Sequence, residues 1–286
     1  MELHFIPSPD YSACELPAPP CEPDLALYLL PSSPSLPHKT KKPLVLVCPG
    51  GAYSYCSDRE AEPIAAKYLA AGFHAAVLRY NCAPAVFPTS LLELAWCVKT
   101  IRQNADKWHV LSNAVFVCGF SAGGHLAASL GTLWNEPFLK AALGPGNWKP
   151  DGQILSYAVL SLGEHTHAGS RDNLLGASNT EATCKRLSLE NRVSGETVPT
   201  FLWHTVEDES VPVENSMLYA AALQKHHIPF EMHLFEKVEE RHTTVFMTEL
   251  GMPLYFSKGS HTNIKITEKE DVDMFLGYIL AQKYKC

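Results

Sequence analysis

The stretch Ala114-Val115-Phe116-Val117-Cys118-Gly119-Phe120-Ser121-Ala122-Gly123-Gly124-His125 decides the fold. Its first five residues form a short apolar run of strand type, and from Ala122 to Leu133 small and aliphatic residues continue at helical length. Between them stands G-x-S-x-G, a serine at a sharp strand-to-helix turn. The turn lifts the serine above the sheet edge, and the flanking glycines are required because a Cβ there would clash with the neighbouring strand and helix. The N-terminus of the helix also favours developing negative charge. Ser121 is therefore the candidate nucleophile, and the N–H of Ala122 a candidate oxyanion donor.

Outward from this turn, short apolar runs alternate with amphipathic segments, the pattern of βαβ units and a mostly parallel sheet. Strands are predicted over 44–48, 74–80, 114–118, 154–161, 200–204 and 230–235, and helices over 60–71, 89–105, 122–133, 213–226 and 268–284. Gly72 stands where a helix C-cap belongs, and Pro212 stands just ahead of another helix start. The first 43 residues hold ten of the 21 prolines and two short apolar runs, Leu3 to Ile6 and Leu25 to Leu30, which read as an antiparallel lead-in ribbon. The segment 163–198 is polar and weakly periodic, an excursion from the sheet such as a cap or lid. No composition break divides the chain, so a single α/β domain over 1–286 is predicted.

A serine nucleophile needs an oxyanion site and a base. The turn after the first parallel strand, Cys48-Pro49-Gly50-Gly51-Ala52-Tyr53, can bring backbone N–H groups of Gly51 or Ala52 together with that of Ala122. No Gly-Lys-Ser/Thr follows, which sets aside a phosphate cradle. The acid should follow a later strand, with the histidine after it. Thr200 to His204 is such a strand, and Asp208 in the loop ending at Val211-Pro212 is the candidate acid, with Glu207 and Glu209 directed away from it. Past Phe235 two histidines compete for the base, His242 and, as the alternative, His261. His165 and His167 share a polar loop but lack a ligand set at a recognised spacing, so no metal and no cofactor is expected. His204, His226, His227 and His233 read as surface or packed residues, and Arg79 as either a pocket residue or half of a structural ion pair.

Composition bounds the partners. Lys+Arg 23 against Asp+Glu 30 gives a formal charge of −7, with no basic block to follow phosphates, so nucleic acid is not an expected partner. No apolar run approaches the roughly eighteen residues of a membrane span, and the start at Met1 lacks a signal-like pattern. Nine cysteines, an odd and scattered set without C-x-x-C pairs, fit reduced thiols in the cytoplasm, with Cys48 and Cys118 acting as small buried hydrophobes. A homo-oligomer is left open.

The chain resembles an α/β-hydrolase, and more narrowly the acetyl xylan esterase or BD-FAE-like carbohydrate esterases, over about residues 40–236. The resemblance rests on Pro49-Gly50-Gly51-Ala52-Tyr53, the run Cys56 to Ala65, Leu78-Arg79-Tyr80 and the elbow Gly119 to Ala127. It continues through Gly163-Glu164, Asn173-Leu174-Leu175-Gly176, Pro199 to Thr205 with Asp208, and Val211 to Ser216. It implies a serine esterase without cofactor, acting on small acylated sugars, in which Ser121 attacks an ester carbonyl, a histidine relays protons and Asp208 orients it. Another acyl substrate, such as an aryl formamide, a peptide or a feruloyl ester, is the alternative, and a catalytically impaired binding protein on the same scaffold is a further one. Three departures stand out. The family's third loop glycine is Ala52 here, which a backbone donor tolerates at negative φ; an arginine often found at the place of Ala168 is missing; and the glycines around the family's histidine are absent at His242, whereas His261 keeps a local Phe-x-Lys-Gly-x-His.

Overall fold

A computed structural model describes residues 2–31, 35 and 41–236 of the chain. Among these residues eight strands form one sheet: β1 (Glu2–Phe5), β2 (Asp24–Tyr28), β3 (Lys42–Cys48), β4 (His74–Arg79), β5 (Val110–Phe120), β6 (Gly152–Ser156), β7 (Thr200–Thr205) and β8 (Phe230–Phe235). Their order across the sheet is β1-β2-β4-β3-β5-β6-β7-β8. The lead-in ribbon is antiparallel, β1 to β2 and β2 to β4, and every later pair is parallel.

Seven α-helices connect the strands among the described residues: α1 (Glu62–Ala70), α2 (Thr89–Gln103), α3 (Ser121–Leu133), α4 (Pro137–Leu143), α5 (Ala168–Leu175), α6 (Glu181–Leu187) and α7 (Glu214–Lys225). The side-chain alternation of β3 builds a core on both faces of the sheet. Leu44, Leu46 and Cys48 join the larger core with α2, α3 and α7, while Val45 and Val47 join a smaller one with Ile64 and Ala65 of α1. Helix α1 ends in a Schellman motif. Gly72, at φ 87°, donates to Leu69 O, and Phe73 donates to Tyr68 O, the geometry that favours glycine at this position.

The long strand expected over 154–161 stops at Ser156. Beyond it the backbone finds other partners: Val159 N donates to Ser121 O, and Leu160 N and Ser161 N both donate to Asn215 Oδ1. The ladder therefore gives way to a loop that wraps over the nucleophile turn. Between β6 and β7 the polar excursion folds into α5 and α6. The first is capped by the His167 ring, which accepts from Ser170 N, and the second by Thr180, which accepts from Thr183 N. Helix α4, opened by Pro137 at its first turn, has no counterpart among the predicted elements. The helix predicted over 268–284 lies outside the described residues.

Candidate active site

Ser121 joins β5 to α3 at φ 51°, a left-handed conformation that a non-glycine residue holds only where its surroundings enforce it. The neighbouring glycines show the enforcement. A Cβ on Gly119 would lie 2.1 Å from Gly123 O, one on Gly123 2.1 Å from Cys48 O, and one on Gly124 2.4 Å from the Ala158 Cβ. The first turn of α3 thus rests on the end of β3 and on the loop after β6, as the G-x-S-x-G reading requires. Its N–H groups, including that of Ala122, precede any intrahelical acceptor and make this end of α3 positive.

The loop after β3 lies against the serine. A Cβ on Gly50 would come 3.1 Å from the Ser121 Cβ. Gly51, Ala52 and Tyr53 follow at φ 127°, 56° and 55°. The condition of a negative φ at Ala52 is therefore not met, and the hydrogen bonds supply the reason. Gly50 O accepts from Ser57 N, Gly51 O from Ser54 N and Tyr55 N, and Ala52 O from the Asn173 side-chain amide of α5 at 2.9 Å. The N–H of each peptide points opposite to its carbonyl. The N–H groups of Gly51, Ala52 and Tyr53 consequently turn away from those partners, and among the described residues none of them meets an acceptor. Such a run of open donors beside a serine suits an oxyanion.

Glu60 closes one flank. Its Oε2 accepts from Gly50 N at 2.7 Å and its Oε1 from the Tyr157 hydroxyl at 2.6 Å. Tyr157 stands just past β6 at φ 37°, with its ring edge-on to Trp203 at 5.2 Å and tilted against Phe120 at 6.0 Å. Neither residue was singled out for a role from sequence, although Glu60 lies within one of the runs that carry the resemblance.

Asp208 follows β7, whose neighbour β6 is in turn the neighbour of β5. The loops bearing Ser121 and Asp208 therefore leave the same sheet edge two strand spacings apart, about 10 Å laterally. Asp208 Oδ1 accepts from Ser210 N and Val211 N, both at 2.9 Å, which fixes the carboxylate. Its Oδ2 has His204 Nε2 at 3.7 Å, beyond hydrogen-bond reach. Glu207 and Glu209 are exposed.

The histidines sort by burial. His204 is fully buried, with Nε2 donating to Val211 O at 2.8 Å and Nδ1 2.8 Å from the Ser216 hydroxyl, and burial lowers its pKa. It is a packed, neutral residue. His125 is buried as well. Its Nε2 donates to Leu187 O at 3.3 Å, which leaves Nδ1 to accept from the Tyr53 hydroxyl at 2.9 Å, and burial holds its pKa down to about 4. It thereby links the loop after β3, α3 and the end of α6. His167 caps α5, and His165 O accepts from the Asn215 amide. Among the described residues no group of three or more His, Cys, Asp or Glu gathers as a metal site. Arg79 forms a bidentate pair with Glu62 at 2.7 and 2.8 Å and reaches Asp58, so it is structural. His242 and His261 lie outside the described residues. No helix of the described residues is long and apolar enough to cross a membrane.

Comparison with known proteins bears on the family and the fold. The profile of the BD-FAE family matches residues 33–223. The acetyl ester-xyloside bifunctional hydrolase of Caldicellulosiruptor lactoaceticus superposes with a TM-score of 0.71 at 34% identity, covering 93% of this chain and 90% of that one. The endo-1,4-beta-xylanase B of Butyrivibrio fibrisolvens is 37% identical over 206 residues, 69% of this chain and 32% of that protein. An acetylxylan esterase of Xylanibacter ruminicola is 27% identical over 195 residues, 66% of this chain and 38% of its own length. The chain thus spans about a third of the length of these two curated relatives. The elbow, the sheet order and the family match converge: the chain belongs to the BD-FAE family and has the α/β-hydrolase fold.

Proposed function

We propose that the protein is a serine carboxylesterase that removes short acyl groups, acetyl foremost, from xylo-oligosaccharides or similar sugars. The observation that carries this reading is the left-handed Ser121 at the head of α3, with Gly50 packed against it and the N–H groups of Gly51 and Ala52 meeting no acceptor among the described residues. In this mechanism Ser121 Oγ attacks the ester carbonyl while a histidine takes its proton. The tetrahedral oxyanion is held by the N–H groups of Gly51 or Ala52 and of Ala122. Collapse expels the sugar alkoxide, which receives the proton from the histidine, and water then releases the acid from the acyl-enzyme. Asp208 Oδ2 is the group left to orient that histidine, for which His242 is our assignment and His261 the alternative. Acid–base transfer contributes roughly 10²–10⁴-fold and each oxyanion donor on the order of 10²–10³-fold. The acetyl preference rests on similarity to proteins named for acetyl esters and acetylxylan. The odd count of nine cysteines supports a reducing, cytoplasmic setting.

The test is p-nitrophenyl acetate hydrolysis by wild type, Ser121→Ala, His242→Ala and His261→Ala, with circular dichroism confirming the fold of each. Wild-type turnover with Ser121→Ala and one histidine variant silent is the expected result, after which acetylated xylo-oligosaccharides are compared with butyryl and feruloyl esters. Full activity in Ser121→Ala refutes the proposal.

A further inference from the structure

We infer that Glu60 is a positioning residue that sets the oxyanion loop against the nucleophile, tying the loop after β3 to the strands beneath Ser121. The inference rests on the reading of Ser121 as the nucleophile. Glu60 ends the 3-10 turn Asp58–Glu60, which is itself fastened to the loop because Ser57 N donates to Gly50 O at 2.9 Å. Its two carboxylate oxygens then hold two partners 107 residues apart in sequence, Gly50 N and the Tyr157 hydroxyl, at 2.7 and 2.6 Å. Both are short, charge-assisted bonds. Gly50 is the residue whose Cβ, were it present, would sit 3.1 Å from the Ser121 Cβ and 2.6 Å from Glu60 Oε2, so the carboxylate lies beside the reacting serine. Tyr157 is anchored from below: its N–H donates to Trp203 O at 2.9 Å, and its ring packs on Phe120 and Trp203. The chain of contacts therefore runs from β5 and β7 through Tyr157 and Glu60 to the peptide that precedes the Gly51 and Ala52 donors.

Electrostatics alone would disfavour this residue. A carboxylate a few ångströms from a developing oxyanion raises the energy of the transition state unless its charge is engaged elsewhere. Its two short hydrogen bonds provide that engagement, and left-handed backbone stands at Tyr157, one end of the tie, and at Ala52 and Tyr53, which follow Gly50 at the other. A misplacement of about 1 Å in such a loop costs on the order of 10²-fold in rate.

The experiment compares wild type, Ser121→Ala, Glu60→Ala, Glu60→Gln and Tyr157→Phe by steady-state hydrolysis of p-nitrophenyl acetate, inhibition by phenylboronic acid and thermal melting. The boronic acid forms a tetrahedral anion on a serine and so reports the oxyanion donors. Glu60→Ala is expected to lower kcat about 10- to 100-fold with KM within about threefold, and to weaken boronic acid inhibition in parallel with kcat. Glu60→Gln, whose carbonyl can accept from Gly50 N while its amide donates to the Tyr157 oxygen, is expected to recover turnover to within about threefold. Tyr157→Phe is expected to fall between them. A folded Glu60→Ala with wild-type kcat and inhibition overturns the inference, as does a loss of activity that only follows the melting temperature. Where Glu60→Ala does not fold, Tyr157→Phe decides: wild-type kcat and inhibition in that variant overturn it equally. Turnover retained by Ser121→Ala instead refutes the nucleophile reading, and this inference with it.

Discussion

Replacing Ala52 with glycine should stabilise the protein, an effect that follows from a single dihedral angle. Ala52 is held at φ 56°, where its Cβ crowds the backbone, because its carbonyl is tied to Asn173 and that of Gly51 to Ser54 and Tyr55. A left-handed L-residue costs roughly 1–2 kcal/mol. Glycine removes that cost but returns about 0.5–1 kcal/mol through the greater freedom of its unfolded chain. Taken at the middle of these ranges, the net gain is about 0.75 kcal/mol, or about 2 °C in Tm for a chain of this size. Urea unfolding followed by tryptophan fluorescence would measure it, with five tryptophans as reporters. Two controls bracket the result. Gly51→Ala places a Cβ 2.0 Å from Tyr55 O at φ 127° and should destabilise strongly, whereas Tyr53→Gly relieves the same kind of backbone strain yet loses a buried ring and its bond to His125. Because the proposed donor at 52 is backbone, Ala52→Gly should keep turnover within a few-fold of wild type. An unfolding midpoint equal to or below wild type refutes the reasoning.

Two other perturbations test the frame around the site. Asn215 is fully buried and satisfies all its hydrogen-bonding capacity, accepting from Leu160 N and Ser161 N and donating to His165 O and Pro212 O; Asn215→Ala orphans two buried donors and should cost about 3–5 kcal/mol in urea unfolding, with a loss below about 1 kcal/mol arguing that the loop does not depend on it. Glu93 is buried, with its carboxyl raised to about 7 by desolvation, against hydrogen bonds from Asn81 and Tyr11 that act in the other direction. A carboxyl with a raised folded-state pKa contributes stability that is complete below its unfolded value of 4.5 and is lost as pH rises through about 7. The stability of wild type relative to Glu93→Gln should therefore fall by about 3 kcal/mol between pH 4.5 and pH 8, and a difference independent of pH would contradict a buried, titrating Glu93.

The legible part of the molecule was local. The alternation in Leu44-Val45-Leu46-Val47-Cys48, the elbow glycines and the Gly72 cap each carry their conformation in neighbouring residues, and the structure places all of them as predicted. The turn that carries Asp208 was legible for a similar reason: Asp208 caps its own loop through bonds to residues two and three positions on. The left-handed turn at Ala52 was not legible because nothing next to it in sequence announces the amide of Asn173, 121 residues away. Glu60 and Tyr157 escaped notice for the same cause. An acidic residue in a polar loop and a tyrosine after a strand have many uses, and only their meeting across 97 residues distinguishes these two. Likewise the end of β6 could not be read from its apolar run, because the partners that draw Val159 to Ser161 off the ladder belong to α3 and α7.

By itself, then, the sequence determined the strand–serine–helix turn, the parallel sheet built around it and the loop carrying Asp208, since each depends on periodicity and on interactions within a few residues. Only the tertiary structure decided how the donor loop is turned, which carboxylate ties it down and where the sheet ends above the serine. Those are set by hydrogen bonds between residues far apart in the chain, and a backbone strained at Ala52, Tyr53, Ser121 and Tyr157 persists only because such distant contacts hold it.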